Sequence, residues 1–191
     1  MIGTSRKFWL TLHVAFSVGW LGAVVGFLAL AVLALRGDNE HTTRAIYIAL
    51  LPLTRHVIVP LSVASLLSGI TQSLITPWGV FRHYWVIAKL LLNVGATLLL
   101  LVHTRPIELM ANAAMDGTRT GAMAGVGRQL VFDAAAAVLA LATATTLSVF
   151  KPIGPTSAAP PRWVYASTLV VLLCLSLVVA SHLGGEGFRH H

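Results

Sequence analysis

The chain has 191 residues, of which 57% are hydrophobic and 10% charged, and its mean hydropathy is +0.83. Soluble domains carry about 25% charged residues, so this balance excludes an ordinary water-soluble fold and indicates an integral membrane protein in contact with the lipid bilayer. The formal net charge of +7 comes from basic residues in loops and at helix ends, where they meet anionic head groups; nucleic acid is not the expected partner.

A membrane-spanning helix needs about 20 predominantly apolar residues. Five stretches qualify: 8–35, 46–75, 84–103, 129–150 and 163–183. Their long apolar runs lack the period-two alternation of barrel strands. The expected fold is therefore all-α, a polytopic membrane helical bundle of about five transmembrane helices, forming a single domain over residues 1–191. The first stretch is longer than the hydrophobic region of a signal peptide and is read as a retained helix. Loop 36–44 is short and polar, and loop 76–83 turns on Pro77 and Gly79. Loop 104–128 is the longest, with a short interfacial helix expected over 106–114 and a flexible Gly-rich stretch over 117–127. Loop 151–162 holds four prolines and reads as a stiff connector. Five spans put the termini on opposite sides. Seven basic residues fall on the C-terminal side against five on the N-terminal side, which favours an external N-terminus.

Candidate chemistry begins in the first span with His13 and Trp20, seven residues apart and on nearly one face. Gly22 and Gly26 form a small-xxx-small pair that admits a neighbouring helix or a flat ligand. The plainer reading of His13 is a hydrogen bond to an adjacent helix. In the third span Lys89 stands alone among apolar residues, at a cost of about 2.5–3.5 kcal/mol near a helix centre. Lys89, Asn93 and Thr97 recur every four residues and make a polar stripe expected to face the bundle interior. Lys89 and His13 lie at comparable depth inside the same side, so they are candidates for one site. The alternative is that Lys89 snorkels toward the head groups beside Trp85.

A second group, His56, His103 and His182, falls on the opposite side. Imidazoles at matched depth on separate helices suit axial haem ligation or a metal site, and equally suit capping of helix ends. Asp133 lies one turn into the fourth span, with Arg55 or Arg128 as the expected counter-charge, in a structural ion pair or a proton relay. The lone Cys174 forms no intrachain disulfide. No phosphate loop, dinucleotide fingerprint or paired-cysteine metal motif is present.

Three segments resemble a group of small bacterial membrane proteins: LHVAFSVGWLG (12–22), LSVASLLSGI (61–70) and WVIAKLLLNV (85–94). The group comprises the HemJ-type membrane protoporphyrinogen oxidases, the CopD copper-resistance family and predicted integral membrane proteins, the last of which LSVFKPIGPT (147–156) resembles most. The resemblance implies residence in the bacterial cytoplasmic membrane, and a haem-ligand role for His13 with a required, catalytic role for Lys89. The leading expectation is a b-type haem redox protein, performing electron transfer or oxidation of a hydrophobic substrate such as a porphyrinogen. Its cofactor site would draw on His13, Trp20, Gly22, Gly26, Lys89 and Asn93, with His13, His56, His103 and His182 as candidate iron or metal ligands. Such a protein would work with a redox partner or as a homo-oligomer. Two alternatives are a copper-handling permease, for which the four methionines lie outside the expected spans, and a non-catalytic scaffold or subunit of a larger complex.

Overall fold

The computed structural model describes residues 2–37, 39–76, 82–117 and 122–150. The fifth expected span, 163–183, with Cys174 and His182, lies outside the described residues, as does loop 151–162. Helix α1 runs Ile2–Arg36, α2 Glu40–Leu53 and α3 Val59–Leu74, and a π-helical turn Thr54–Ile58 joins α2 to α3. Helix α4 is Tyr84–Asp116 and α5 is Ala122–Phe150. Among the described residues, four paths are long and apolar enough to cross a membrane: Thr4–Arg36, Glu40–Leu74, Tyr84–Asp116 and Gly125–Phe150. The protein is an all-α, multi-pass membrane protein.

Local chemistry fixes the ends. Gly37 has φ 68°, a left-handed position that suits glycine directly after α1. Two residues on, the Asn39 side chain caps α2, its oxygen accepting from the N–H groups of His41 at 2.9 Å and Thr42 at 3.3 Å. Gly117, with φ 72°, ends α4, and a Cβ there would stand 2.7 Å from the Arg44 guanidinium. The π turn has a cause in the sequence. Pro60 has no N–H, and the chain widens just before it, so that the Val59 N–H bonds to the Thr54 carbonyl five residues back.

The expected loop 104–128 is corrected. Helix α4 continues through Arg105, Pro106 and Glu108 to Asp116, and α5 already begins at Ala122. A 33-residue helix is about 50 Å long against a hydrocarbon core of about 30 Å, so the charged final turns of α4 extend past the apolar layer. Met110 accordingly sits inside a helix, buried, rather than in a loop.

The interior follows from α1. Trp20, Val24, Phe27, Ala31 and Ala34 recur every three or four residues, and this stripe packs against Leu50, Ile58, Ala96, Ile107 and Leu130. Large apolar side chains such as Phe8, Leu67, Leu109 and Phe132 point outward, as lipid contact allows. Ser62, Ser65 and Ser68 line the buried face of α3. Small residues there let helices approach closely, and their hydroxyls are satisfied locally: Ser62 Oγ donates to the Val59 carbonyl at 2.8 Å.

Candidate functional site: a cationic cleft and a buried His–Asp pair

Chain direction alternates along α1, the α2–α3 path, α4 and α5, so the start of α1, the end of α3, the start of α4 and the end of α5 meet at one end of the bundle. There they enclose a cleft of about 360 Å³. This is at the lower end of the range of roughly 300–1,000 Å³ for small-molecule sites. Leu10, Val14, Leu66, Ile70, Val86 and Leu90 form its apolar walls. Its polar lining includes His13, Ser17, Gln72, Asn93 and Ser148, and its charged lining residues are Arg6 and Lys89. Among the described residues no Asp or Glu lines it.

His13 is held by the serine face of α3. Its Nδ1 lies 3.2 Å from the Ser65 carbonyl and 3.1 Å from Ser68 Oγ. Ser68 Oγ itself donates to the Ser65 carbonyl at 3.1 Å. A carbonyl only accepts, so one arrangement satisfies all three contacts: Nδ1 carries the proton and donates to both oxygens. Nε2 then presents a lone pair and has no hydrogen bond to a described residue. Gly69 makes the approach possible, since a Cβ there would sit 2.9 Å from His13 Cε1. Behind the histidine, Ser17 Oγ and Ser65 Oγ are 2.9 Å apart, a second tie between α1 and α3.

Lys89 lines the same cleft and places its Nζ 5.8 Å from the centroid of the Trp85 ring, within cation–π range of about 6 Å. The two sequence readings of Lys89 thus meet in one geometry: it faces the cleft and also rests on Trp85. Asn93 lines the cleft one turn further in and is buried; Thr97, a turn beyond, is buried with its hydroxyl unpartnered.

Deeper in the bundle, His103 of α4 and Asp133 of α5 form a buried pair, with Nε2 2.6 Å from Oδ2 and side chains 5% and 7% exposed. His103 Nδ1 donates to the Leu99 carbonyl at 2.7 Å. Gln129 Nε2 stands 3.4 Å from His103 Nε2. Because Nδ1 holds its own proton, one further proton is shared along the Nε2···Oδ2 line, as imidazolium with carboxylate or imidazole with acid.

Several expectations change. Asp133 pairs with His103, whereas Arg55 takes Glu108 at 2.9 Å on a half-exposed surface. Trp20 shares the His13 face but is 1% exposed in the core and does not line the open cleft. Gly22 and Gly26 bring no described residue close: a Cβ at either meets no atom of the described residues within 4 Å. His56 lies exposed on the π turn, while His103 has both ring nitrogens engaged. No group of three His, Cys, Asp or Glu side chains able to hold a metal occurs among the described residues. The sequence reading passed over Ser65, Ser68 and Gly69. Their signal is present as small residues every three or four positions in LSVASLLSGI, a segment noted above only for its family resemblance. No family model matches this chain, nor does any curated protein or solved structure match it.

Proposed function

We propose that this chain is a protein of the bacterial cytoplasmic membrane, N-terminus outside, that binds one b-type haem in the His13–Lys89 cleft and uses it in electron transfer or in oxidation of a hydrophobic substrate such as a porphyrinogen. The observation that carries this reading is His13. Its Nδ1 is pinned to the Ser65 carbonyl and Ser68 hydroxyl, which leaves Nε2 unprotonated on the wall of a cleft whose charged described residues are both cationic. A hydrogen-bonded second nitrogen is what fixes the tautomer and orientation of a ligating histidine.

The residues fit the group. Nε2 of His13 would hold the iron, Arg6 and Lys89 would take the propionate carboxylates, and Val14, Leu66, Ile70 and Leu90 would cover the macrocycle. Haem supplies one-electron redox chemistry; the protein supplies orientation, apolar cover and charge. His103 is not offered as a second ligand, because both of its ring nitrogens are committed. Copper(I) prefers thiolate and thioether donors, and no Cys or Met is among the described residues lining the cleft.

The test is the absorption spectrum of protein purified in mild detergent from haem-replete cells, oxidised and then dithionite-reduced. A Soret band with reduced α and β bands is expected, diminished severalfold by His13→Ala. Lys89→Met is expected to leave folding intact and weaken retention of the chromophore. A colourless protein would sink the haem reading.

A further inference from the structure

Two small cavities adjoin Trp20, one sharing lining residues with the cleft and the other lined by the His103–Asp133 pair. The first, about 20 Å³, is walled by His13, Ser17, Trp20, Lys89 and Asn93 among others. The second, about 50 Å³, is walled by Trp20, Phe27, Leu100, His103 and Asp133 among others. Trp20 lines both, is 1% exposed, and its indole N–H has no hydrogen-bond partner. Thr97, one turn beyond Asn93 on α4, is a second buried polar group without a hydrogen-bond partner among the described residues. A cavity accommodates a water once it offers about 10–15 Å³ and polar partners converge on it. Both cavities meet that volume; His13, Ser17, Lys89 and Asn93 bring polar groups to the first, and Trp20, His103 and Asp133 bring them to the second among otherwise apolar residues. Beyond the pair, toward the far end of the bundle, the packing is different. Met110, Ala111 and Ala114 are each 1–5% exposed there, and Ile107 and Leu130 line the second cavity at that end.

We propose that the His103–Asp133 pair is a proton-exchange site served from the cleft through waters held in these two cavities beside Trp20. The step needs no electron and no other reactant. In the resting pair Nδ1–H stays on the Leu99 carbonyl and one proton is shared between Nε2 and Oδ2. A proton arriving through water protonates the Asp133 carboxyl while Nε2 keeps its own, leaving imidazolium beside neutral acid. Its return to water restores the pair. The other described groups around the pair carry no charge: Trp20, Val24 and Phe27 from α1, Ile58 from the π turn, Leu100 and Ile107 from α4, and Gln129 and Leu130 from α5. The site lies 14 residues from Lys89 along α4, about 21 Å at 1.5 Å per residue. A reaction in the cleft that releases a proton therefore has an acceptor inside the bundle, whether or not the cleft carries haem.

The experiment follows the His103 ring by ¹⁵N-histidine NMR of the full chain in lipid nanodiscs, its signal assigned by substituting the other histidines, so the pair itself is untouched. Exchange of the Nε2 proton with water is measured in a Cys174→Ser background before and after a bulky thiol reagent is attached at Ser17→Cys, which lines both the cleft and the first cavity. Exchange faster than global unfolding, slowed at least tenfold by the reagent, is expected. An unchanged rate after modification, or exchange only as fast as global unfolding, would overturn the proposal.

Discussion

The two histidines on opposite halves of the bundle, His13 and His103, are held by the same device and put to different use. Each donates Nδ1–H to a main-chain carbonyl, Ser65 in one case and Leu99 in the other. At His13 the second nitrogen meets a cleft with cations and no described acid; at His103 it meets a carboxylate at 2.6 Å. One carbonyl bond fixes the tautomer, and what stands opposite Nε2 decides whether the ring faces a cleft or a carboxylate.

The largest test of that contrast is Asp133→Ala. It removes the carboxylate from the buried His103 Nε2 and is expected to destabilise the fold by about 3–5 kcal/mol, read by denaturant unfolding in detergent. Replacing His103 and Asp133 together by leucine is expected to recover most of that loss. A loss below about 1 kcal/mol, the range of exposed pairs, would mean that the pair is solvated and the contrast is wrong. Next comes Gly69→Ala, which drives a methyl to 2.9 Å from His13 Cε1. Overpacking of this kind costs about 1–3 kcal/mol, and any chromophore bound at His13 should shift its spectrum. Gly22→Ala, with no described residue within 4 Å of the added Cβ, is the control and should stay within about 0.5 kcal/mol. Ser68→Ala removes one hydrogen bond to His13 and should cost about 0.5–1.5 kcal/mol, with a visible change in the His13 Nδ1 resonance. Smallest apart from that control is Glu108→Ala. Its partner Arg55 is half exposed, so the effect on unfolding should fall below about 1 kcal/mol.

The membrane helices were legible because apolar runs of this length have one outcome in lipid. The extension of α4 was not, because Arg105, Pro106 and Glu108 interrupt the hydropathy without interrupting the helix. His13 and Lys89 were found together by depth alone, since helix rise converts sequence position into height. Rotation was harder. Gly22 lies two residues from Trp20 and is turned about 200° from it, so a buried Trp20 sends Gly22 outward. That geometry was already in the sequence and contradicted grouping the two in one site. Asp133 was matched to arginine because charge was sought for charge; its partner is an imidazole that looked like a helix-end residue.

The π turn at Thr54–Ile58 has a consequence for the phase of everything after it. A π turn holds one residue more than the α-helical path it replaces, and one residue is about 100° of rotation. The α2 half of this span presents Ile46, Tyr47 and Leu50 to the core, and the α3 half presents Ser62, Ser65 and Ser68. Closing this turn into α-helix with every residue kept would turn the serines about 100° away from α1, whereas deleting one residue between Thr54 and Ile58 would restore the α path and leave them facing it. The grip on His13 is thus timed from a point two turns or more along the chain, by a widened backbone that touches no ligand.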